Sequence, residues 1–244
     1  MTTIASNLQA VRAAIASAAG GYGREDRDIK LLAVSKNFPA DAIRAAYHAG
    51  QHRFAENYTQ EAGDKMAALD DLPLEWHFIG PIQSNKTRAI AEHFAWVHSV
   101  DRLKVAERLS AQRPENLPPL QVCLQVNISG EASKSGVAPA QASVLAMQIA
   151  QLPRLTLRGL MAVPAPGADV AAQRSAFAAL RALRDRLNQQ GLQLDTLSMG
   201  MSHDYPAAIA EGATMVRIGT AIFGDRTKNE KSSASEYTGH TKHV

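Results

Sequence analysis

Ile29-Lys30-Leu31-Leu32-Ala33-Val34-Ser35-Lys36 is a short apolar run that ends abruptly in Ser-Lys, and Asn37-Phe38-Pro39 breaks it before a helical pattern begins. A run of this length, bounded by a turn, reads as a buried strand. Lys36 then stands at the C-terminal mouth of the strand, with its backbone fixed and its side chain facing a cavity. A lysine held against apolar surroundings loses hydration and its pKa falls. Its neutral amine can then form a Schiff base with an aldehyde. Taken alone, the same residues are more simply described as a solvated lysine at a strand end, since most lysines are exposed.

Outward from this stretch the same unit recurs. Ile4 to Ala19 is an amphipathic helix with Ile4, Leu8, Val11 and Ile15 on one face, stopped by Gly20-Gly21-Tyr22-Gly23. After the first strand, Pro39 to Ala49 reads as a helix, Arg53 to Ala55 as a strand and Asn57 to Leu69 as a helix. Leu74 to Ile79 is a third strand, and Ser84 to His93 a helix with Ser84 as its expected cap. Phe94 to Val100 is a fourth strand, and Asp101 is the expected cap of a helix running to Gln112. Pro119 to Ile128, Leu155 to Val163, Leu194 to Met199 and Thr214 to Ile218 read as the remaining strands. Helices at Pro139 to Leu152, Val170 to Gln190 and Pro206 to Glu211 separate them. Alternating strands and helices imply parallel pairing through right-handed crossovers. Eight such units in 244 residues predict an α/β fold, a single closed (β/α)8 barrel of TIM type with an extra N-terminal helix. An open doubly wound sheet is the alternative, but Val34-Ser35-Lys36-Asn37 is not the glycine-rich dinucleotide turn expected there. The barrel is expected over residues 1–226, with a polar tail over 227–244 that lacks periodicity and is expected to be disordered.

Apolar residues make up 45% of the chain and charged residues 20%, which supports a sizeable core. The net charge of +3 is spread thinly, with no basic block, so nucleic acid is not an expected partner. The single cysteine, Cys123, excludes an internal disulfide and reads as a buried thiol. The histidines form no HExxH motif and one cysteine cannot build a thiolate site, so no metal is expected. No signal peptide and no membrane-length apolar stretch is visible, which makes a cytoplasmic protein the default expectation.

In such a barrel, active sites lie at the C-terminal strand ends, and phosphate binds at the loops after strands seven and eight. The seventh loop here is Ser198-Met199-Gly200-Met201-Ser202-His203-Asp204, and the eighth begins Arg217-Ile218-Gly219-Thr220. Gly200 and Gly219 would let backbone approach an anion, while Ser202 and Thr220 supply hydroxyls. Turn glycines with Ser202 or Asp204 as a helix cap are the plainer reading of each loop. Two such loops opposite a strand-end lysine suggest pyridoxal 5′-phosphate (PLP), with its aldehyde at Lys36 and its phosphate on Ser202, Gly219 and Thr220. Arg217 could reach inward to the pyridine nitrogen or make an ordinary ion pair. At the ring it would keep the nitrogen an unprotonated acceptor and so weaken carbanion chemistry.

The motifs Ala33-Val34-Ser35-Lys36, Phe54-Ala55-Glu56-Asn57-Tyr58-Thr59-Gln60-Glu61 and His77-Phe78-Ile79-Gly80-Pro81-Ile82-Gln83-Ser84-Asn85-Lys86 carry a family resemblance. Val126-Asn127-Ile128, Ser133-Lys134-Ser135-Gly136-Val137, Gly159-Leu160-Met161, Ser198-Met199-Gly200-Met201-Ser202 and Arg217-Ile218-Gly219-Thr220 extend it from Lys30 to Arg226. The chain resembles the pyridoxal phosphate homeostasis proteins, which are similar to the barrel domain of alanine racemase. The resemblance implies PLP on Lys36 as a Schiff base and phosphate contacts from Ser202, Gly219 and Thr220. It also implies a ring-nitrogen contact from Arg217 and a pocket lined by Asn57 and Met199. Its implied role is intracellular PLP homeostasis, buffering or delivering the cofactor without a defined reaction, with apo PLP-dependent enzymes as transient partners. Ala55 departs from the family's usual glycine and would be strained if its φ were positive. Asn37 also departs from the commonest residue, at a position expected to face solvent.

The alternative is a PLP-dependent amino-acid racemase-like enzyme. Racemisation needs acid-base groups on both faces of the substrate carbon. Alanine racemases take one from a second domain, for which no strand pattern follows here although Tyr237 lies in the tail. A third reading is a phosphosugar enzyme with Lys36 as an aldolase-type amine and Glu56 as its base. His77, Gln83, Asn85 and Lys86 could bind a second anion or a partner, and Lys134 could accept the aldehyde transiently. A monomer is expected.

Overall fold

The computed structural model describes residues 3–131, 134–164 and 169–224. The chain opens with helix α1 (Ile4–Gly20), strand β1 (Lys30–Val34), helix α2 (Ala40–His48) and strand β2 (Arg53–Glu56). Helix α3 (Thr59–Ala68), strand β3 (Glu75–Phe78), helix α4 (Thr87–His93) and strand β4 (Trp96–Val100) follow. Next come helix α5 (Leu103–Gln112), strand β5 (Leu120–Gln125), helix α6 (Pro139–Ala150) and strand β6 (Leu155–Met161). Helix α7 (Val170–Gln189), strand β7 (Thr196–Met201), helix α8 (Tyr205–Ala210), strand β8 (Met215–Ile218) and the one-turn helix α9 (Thr220–Phe223) complete the described chain.

The strands form one closed parallel barrel in sequence order, β1 through β8, as expected. Closure is made by β1 against β8, where Leu32 pairs with Arg217 and Ala33 with Ile218. The expected tail over 227–244 lies outside the described residues. Among the described residues, no helix is long and apolar enough to cross a membrane.

Two apolar layers follow from the period of two along each strand. Leu32, Val34, Ala55, Trp96, Cys123, Met161 and Met215 pack together inside the barrel. Burial pushes the Cys123 thiol up to about 12, so it is inert as a nucleophile. The alternate residues, Leu31, Ala33, Phe54, Phe78, Val97, Val122, Leu197 and Val216 among them, meet the helices outside. The extra helix α1 buries Leu8, Val11, Ile15 and Ala19 against α2, α8 and α9. Each large apolar side chain among them contributes roughly 1.5–3 kcal/mol. A capping box starts α1: Ser6 N donates to Thr3 Oγ1 at 3.1 Å and Thr3 N to Ser6 Oγ at 3.0 Å.

Two expected caps are absent. Ser84 begins a 3₁₀ turn (Ser84–Lys86) ahead of α4, and its carbonyl, not its hydroxyl, accepts from Thr87 Oγ1 at 2.9 Å. Asp101 stands one residue too early to cap α5, whose N-cap is Arg102, and its carboxylate pairs with Arg102 at 2.7 Å.

Candidate functional site

Lys36 lies two residues beyond β1, half-buried, in the inward phase of Leu32 and Val34. The turn that carries it is fixed on both sides. Asn37 is exposed with φ 65°, a left-handed conformation that asparagine tolerates. Phe38 is buried and stacks on Phe223 of α9 at 4.9 Å. Ala55, inside β2, has no positive φ, so the departure from glycine costs nothing.

Beneath the turn sits a buried ionic knot. Lys65 Nζ of α3 donates to Glu56 Oε1 at 2.7 Å, to Glu61 Oε1 at 2.6 Å and to the Ser35 carbonyl at 2.8 Å. Ser35 Oγ donates to the same Glu56 oxygen at 2.7 Å, and Asn37 N to Glu61 Oε1 at 2.5 Å. Burial pushes the Glu56 carboxyl up, against the pull of Lys65 and Ser35. Glu56 lies in the outward phase of β2, under α3. This corrects its candidacy as a base beside Lys36: the side chain is spent on supporting the strand end.

Arg217 enters the barrel from β8, next to β1. The residue is 4% exposed. Nη1 donates to the Ser198 carbonyl at 2.6 Å and to Ser198 Oγ at 2.7 Å, and Nη2 to the Ala162 carbonyl at 2.9 Å. These carbonyls take the place of the carboxylate an ion pair would have used. Burial lowers its pKa to about 10, so it stays charged at neutral pH.

The two anion-loop candidates flank this point. Gly219 is the N-cap of α9, and a Cβ there would stand 3.0 Å from the Val34 carbonyl, so the loop presses on the strand that carries Lys36. Thr220 is exposed as the first residue of α9, a turn too short for sequence periodicity to register. Ser202 is half-buried in the turn after β7. Asp204 does not cap α8 through its side chain; its carboxylate accepts from Met201 N at 2.6 Å. Gly200 has φ +95°, and a Cβ there would meet Ala208 Cβ at 2.7 Å, so its freedom serves the docking of α8. Met199 alternates with the inward Ser198. Its side chain is buried in the outer layer, not in the pocket that the resemblance implied.

Asn57 is half-buried past β2, in the inward phase of Ala55, and its Oδ1 is buried without a hydrogen-bond partner. Its backbone rests on Gly80, where a Cβ would fall 2.1 Å from the Asn57 carbonyl oxygen. With Tyr58, Gln83 and Lys86 it lines a cavity of about 230 Å³. His77 does not join Gln83 and Lys86 there; it is fully buried inside the barrel. Lys134 pairs with Glu131 at 3.2 Å and donates to the Val163 carbonyl at 3.4 Å.

His77 belongs to a chain that spacing did not reveal. Its Nε2 contacts Glu75 Oε1 at 2.8 Å and its Nδ1 contacts His98 Nε2 at 2.9 Å. His98 Nδ1 in turn contacts Ser198 Oγ at 2.8 Å. Burial lowers the pKa of His77, against the opposing pull of Glu75, and holds that of His98 well below the ordinary 6.5, helped by His77 and Arg217. Both rings are therefore neutral when folded, while the unfolded chain takes up protons near pH 6.5. Their contribution to stability is intact above that pH and is lost progressively as pH falls toward the folded values. The melting temperature is expected to decline below pH 6.5, with a shallower slope in His98→Phe; an unchanged slope in that variant would contradict the assignment.

A barrel with a strand-end lysine, an inward arginine on its last strand and a hydroxyl-bearing turn after it defines a class: residues 3–227 match the alanine racemase N-terminal domain. An alanine racemase from Corynebacterium glutamicum has the same fold at 19% identity, with a TM-score of 0.64 over 90% of this chain and 59% of that one. PipY of Synechococcus elongatus, solved without PLP and with PLP bound, gives TM-scores of 0.83 and 0.80 at 44% and 42% identity, over 91% of this chain and 100% of those. The pyridoxal phosphate homeostasis protein of Pseudomonas aeruginosa is 65% identical over 226 residues, 93% of this chain and 97% of that one. The chain belongs to the pyridoxal phosphate homeostasis protein family.

Proposed function

We propose that this chain binds pyridoxal 5′-phosphate as a Schiff base on Lys36 and serves PLP homeostasis, holding and releasing the cofactor in the cytoplasm rather than turning over a substrate. The observation that carries this reading is the seam of the barrel. Lys36 follows β1 beside the adjacent β8, which carries Arg217 within it and runs on into Gly219 and Thr220. One ligand with an aldehyde, a basic ring nitrogen and a phosphate can engage all four.

The residues present fit that ligand. Lys36 supplies the amine, Arg217 a donor at the ring, and Ser202, Gly219 and Thr220 hydroxyl and backbone donors for the phosphate. The buried, unpaired Asn57 Oδ1 is an acceptor awaiting a donor, which the cofactor's ring hydroxyl can supply. When bound, PLP supplies an electrophilic aldehyde and an electron sink. A guanidinium, which does not surrender its proton, leaves that sink weak. This supports storage over catalysis, and a PLP-bound relative of the same family supports the cofactor. The protein acts as a monomer that passes PLP transiently to apo enzymes.

Titrating purified protein with PLP is expected to produce a visible band that collapses on borohydride reduction, leaving a pyridoxyl mass on the Lys36 peptide. A protein that stays colourless with added PLP overturns the reading. Steady racemase turnover, lost in Lys36→Ala, would replace homeostasis with the racemase-like alternative.

A further inference from the structure

The interior chain Glu75–His77–His98–Ser198–Arg217 runs from one mouth of the barrel to the other, and its two ends have fixed roles. Arg217 can only donate; an ionised Glu75 can only accept. Glu75 is ionised: its hydrogen bond to His77 holds its carboxyl below the ordinary range, with Arg53 and Lys30 adding to the effect. Its side chain is 40% exposed and pairs with Arg53 at 3.2 Å. With both rings neutral, one arrangement satisfies every link through the imidazoles. His77 Nε2–H donates to Glu75, His98 Nε2–H donates to His77 Nδ1, and Ser198 O–H donates to His98 Nδ1. The Ser198 oxygen then has its lone pairs left for Arg217 Nη1 at 2.7 Å. Among the described residues, no carboxylate lies within ion-pair distance of Arg217. The aligned dipoles of this chain add to the negative potential that the Ser198 and Ala162 carbonyls, and more distantly Asp204, place at the buried guanidinium.

We propose that Glu75, His77, His98 and Ser198 form a positioning relay in which the acceptor-only carboxylate at the far mouth orders the hydrogen bonds that aim and hold Arg217 at the cofactor end. The relay rests on the reading of Arg217 as the ring-nitrogen partner for its consequence, although its own order is a property of the unloaded protein. Around its lower end stand Arg53 and Lys30, and beside His98 stand His77 and Arg217.

The test uses Glu75→Gln and Ser198→Ala. Glutamine is isosteric and half-exposed here, so the fold is kept, but its amide both donates and accepts. Histidine ring ¹⁵N NMR of the unloaded wild type is expected to show His77 and His98 neutral, each with its proton on Nε2. Glu75→Gln is expected to add a second tautomer at His98, two links away, and Ser198→Ala to do so directly. In PLP titrations both variants are expected to bind about tenfold more weakly, the scale of one charge-assisted hydrogen bond. The pH midpoint of the bound chromophore is expected to shift, which a merely structural role would not cause. Wild-type rings with the proton on Nδ1, or variants that leave the His98 tautomer and the PLP affinity unchanged, overturn the relay. A wild type that binds no PLP overturns the functional reading instead, and the histidine tautomers still decide the relay.

Discussion

Lys65→Met is expected to cost about 3–5 kcal/mol of stability, the scale for removing one partner of a buried ion pair. The Lys65 side chain is 7% exposed and that of Glu56 is fully buried, so no solvent can take over the lost bonds. The substitution strands a carboxylate that already has one oxygen, Oε2, without a partner. It also releases the Ser35 carbonyl, so the end of β1 loosens and PLP affinity falls with stability. Adding Glu56→Gln should recover part of the loss, because a neutral amide tolerates burial better than an unpaired charge. The check is denaturant unfolding of the single and double variants. A loss below about 1 kcal/mol, the range of exposed pairs, would show that the knot is solvated in solution.

Lys36→Ala is expected to abolish the visible PLP band and the borohydride-trapped adduct entirely. Half-buried and outside the strand, Lys36 contributes far less to folding than Lys65, so the melting temperature should move much less than in Lys65→Met. With the proposed phosphate contacts of the turn after β8 left in place, equilibrium dialysis should still detect weak, non-covalent PLP retention. A band of undiminished intensity in Lys36→Ala, with the pyridoxyl mass on another lysine such as Lys134, would refute the assignment of the anchor.

The barrel was legible because strand and helix periods alternate so regularly that only their ends were displaced. The apolar pattern alone predicts a strand over Leu194 to Met199, whereas β7 runs on through Gly200 to Met201, since glycine carries no apolar signal. Helix α9 is four residues long and leaves no period to detect. The candidate site is drawn from residues whose chemistry is local, Lys36 and the turn after β8, and the structure brings these together along the β1–β8 seam. Met199 and Glu56 alternate with the inward Ser198 and Ala55, which places both on the outer face, away from the barrel mouth. The interior relay could not be seen at all. His98 and Ser198 are 100 residues apart, and nothing in the spacing of either announces the other. A buried histidine looks the same in sequence whether it binds a ligand, rests in a core or passes a hydrogen bond.

The seam between β1 and β8 has a consequence in time. As the chain leaves the ribosome, Lys36 emerges near the beginning, yet its companions Arg217, Gly219 and Thr220 come almost at the end of the described residues. The first helix also waits: Asn7 Nδ2 reaches the Ile222 carbonyl, 215 residues on, at 2.9 Å. Until β8 arrives, the nascent barrel has an open edge, and Lys36 lacks the turn of Gly219 and Thr220 that stands beside β1 in the closed barrel. The closing strand of the barrel is thereby made late, and the end of β1 meets its final neighbour only once nearly all of the described chain has been translated.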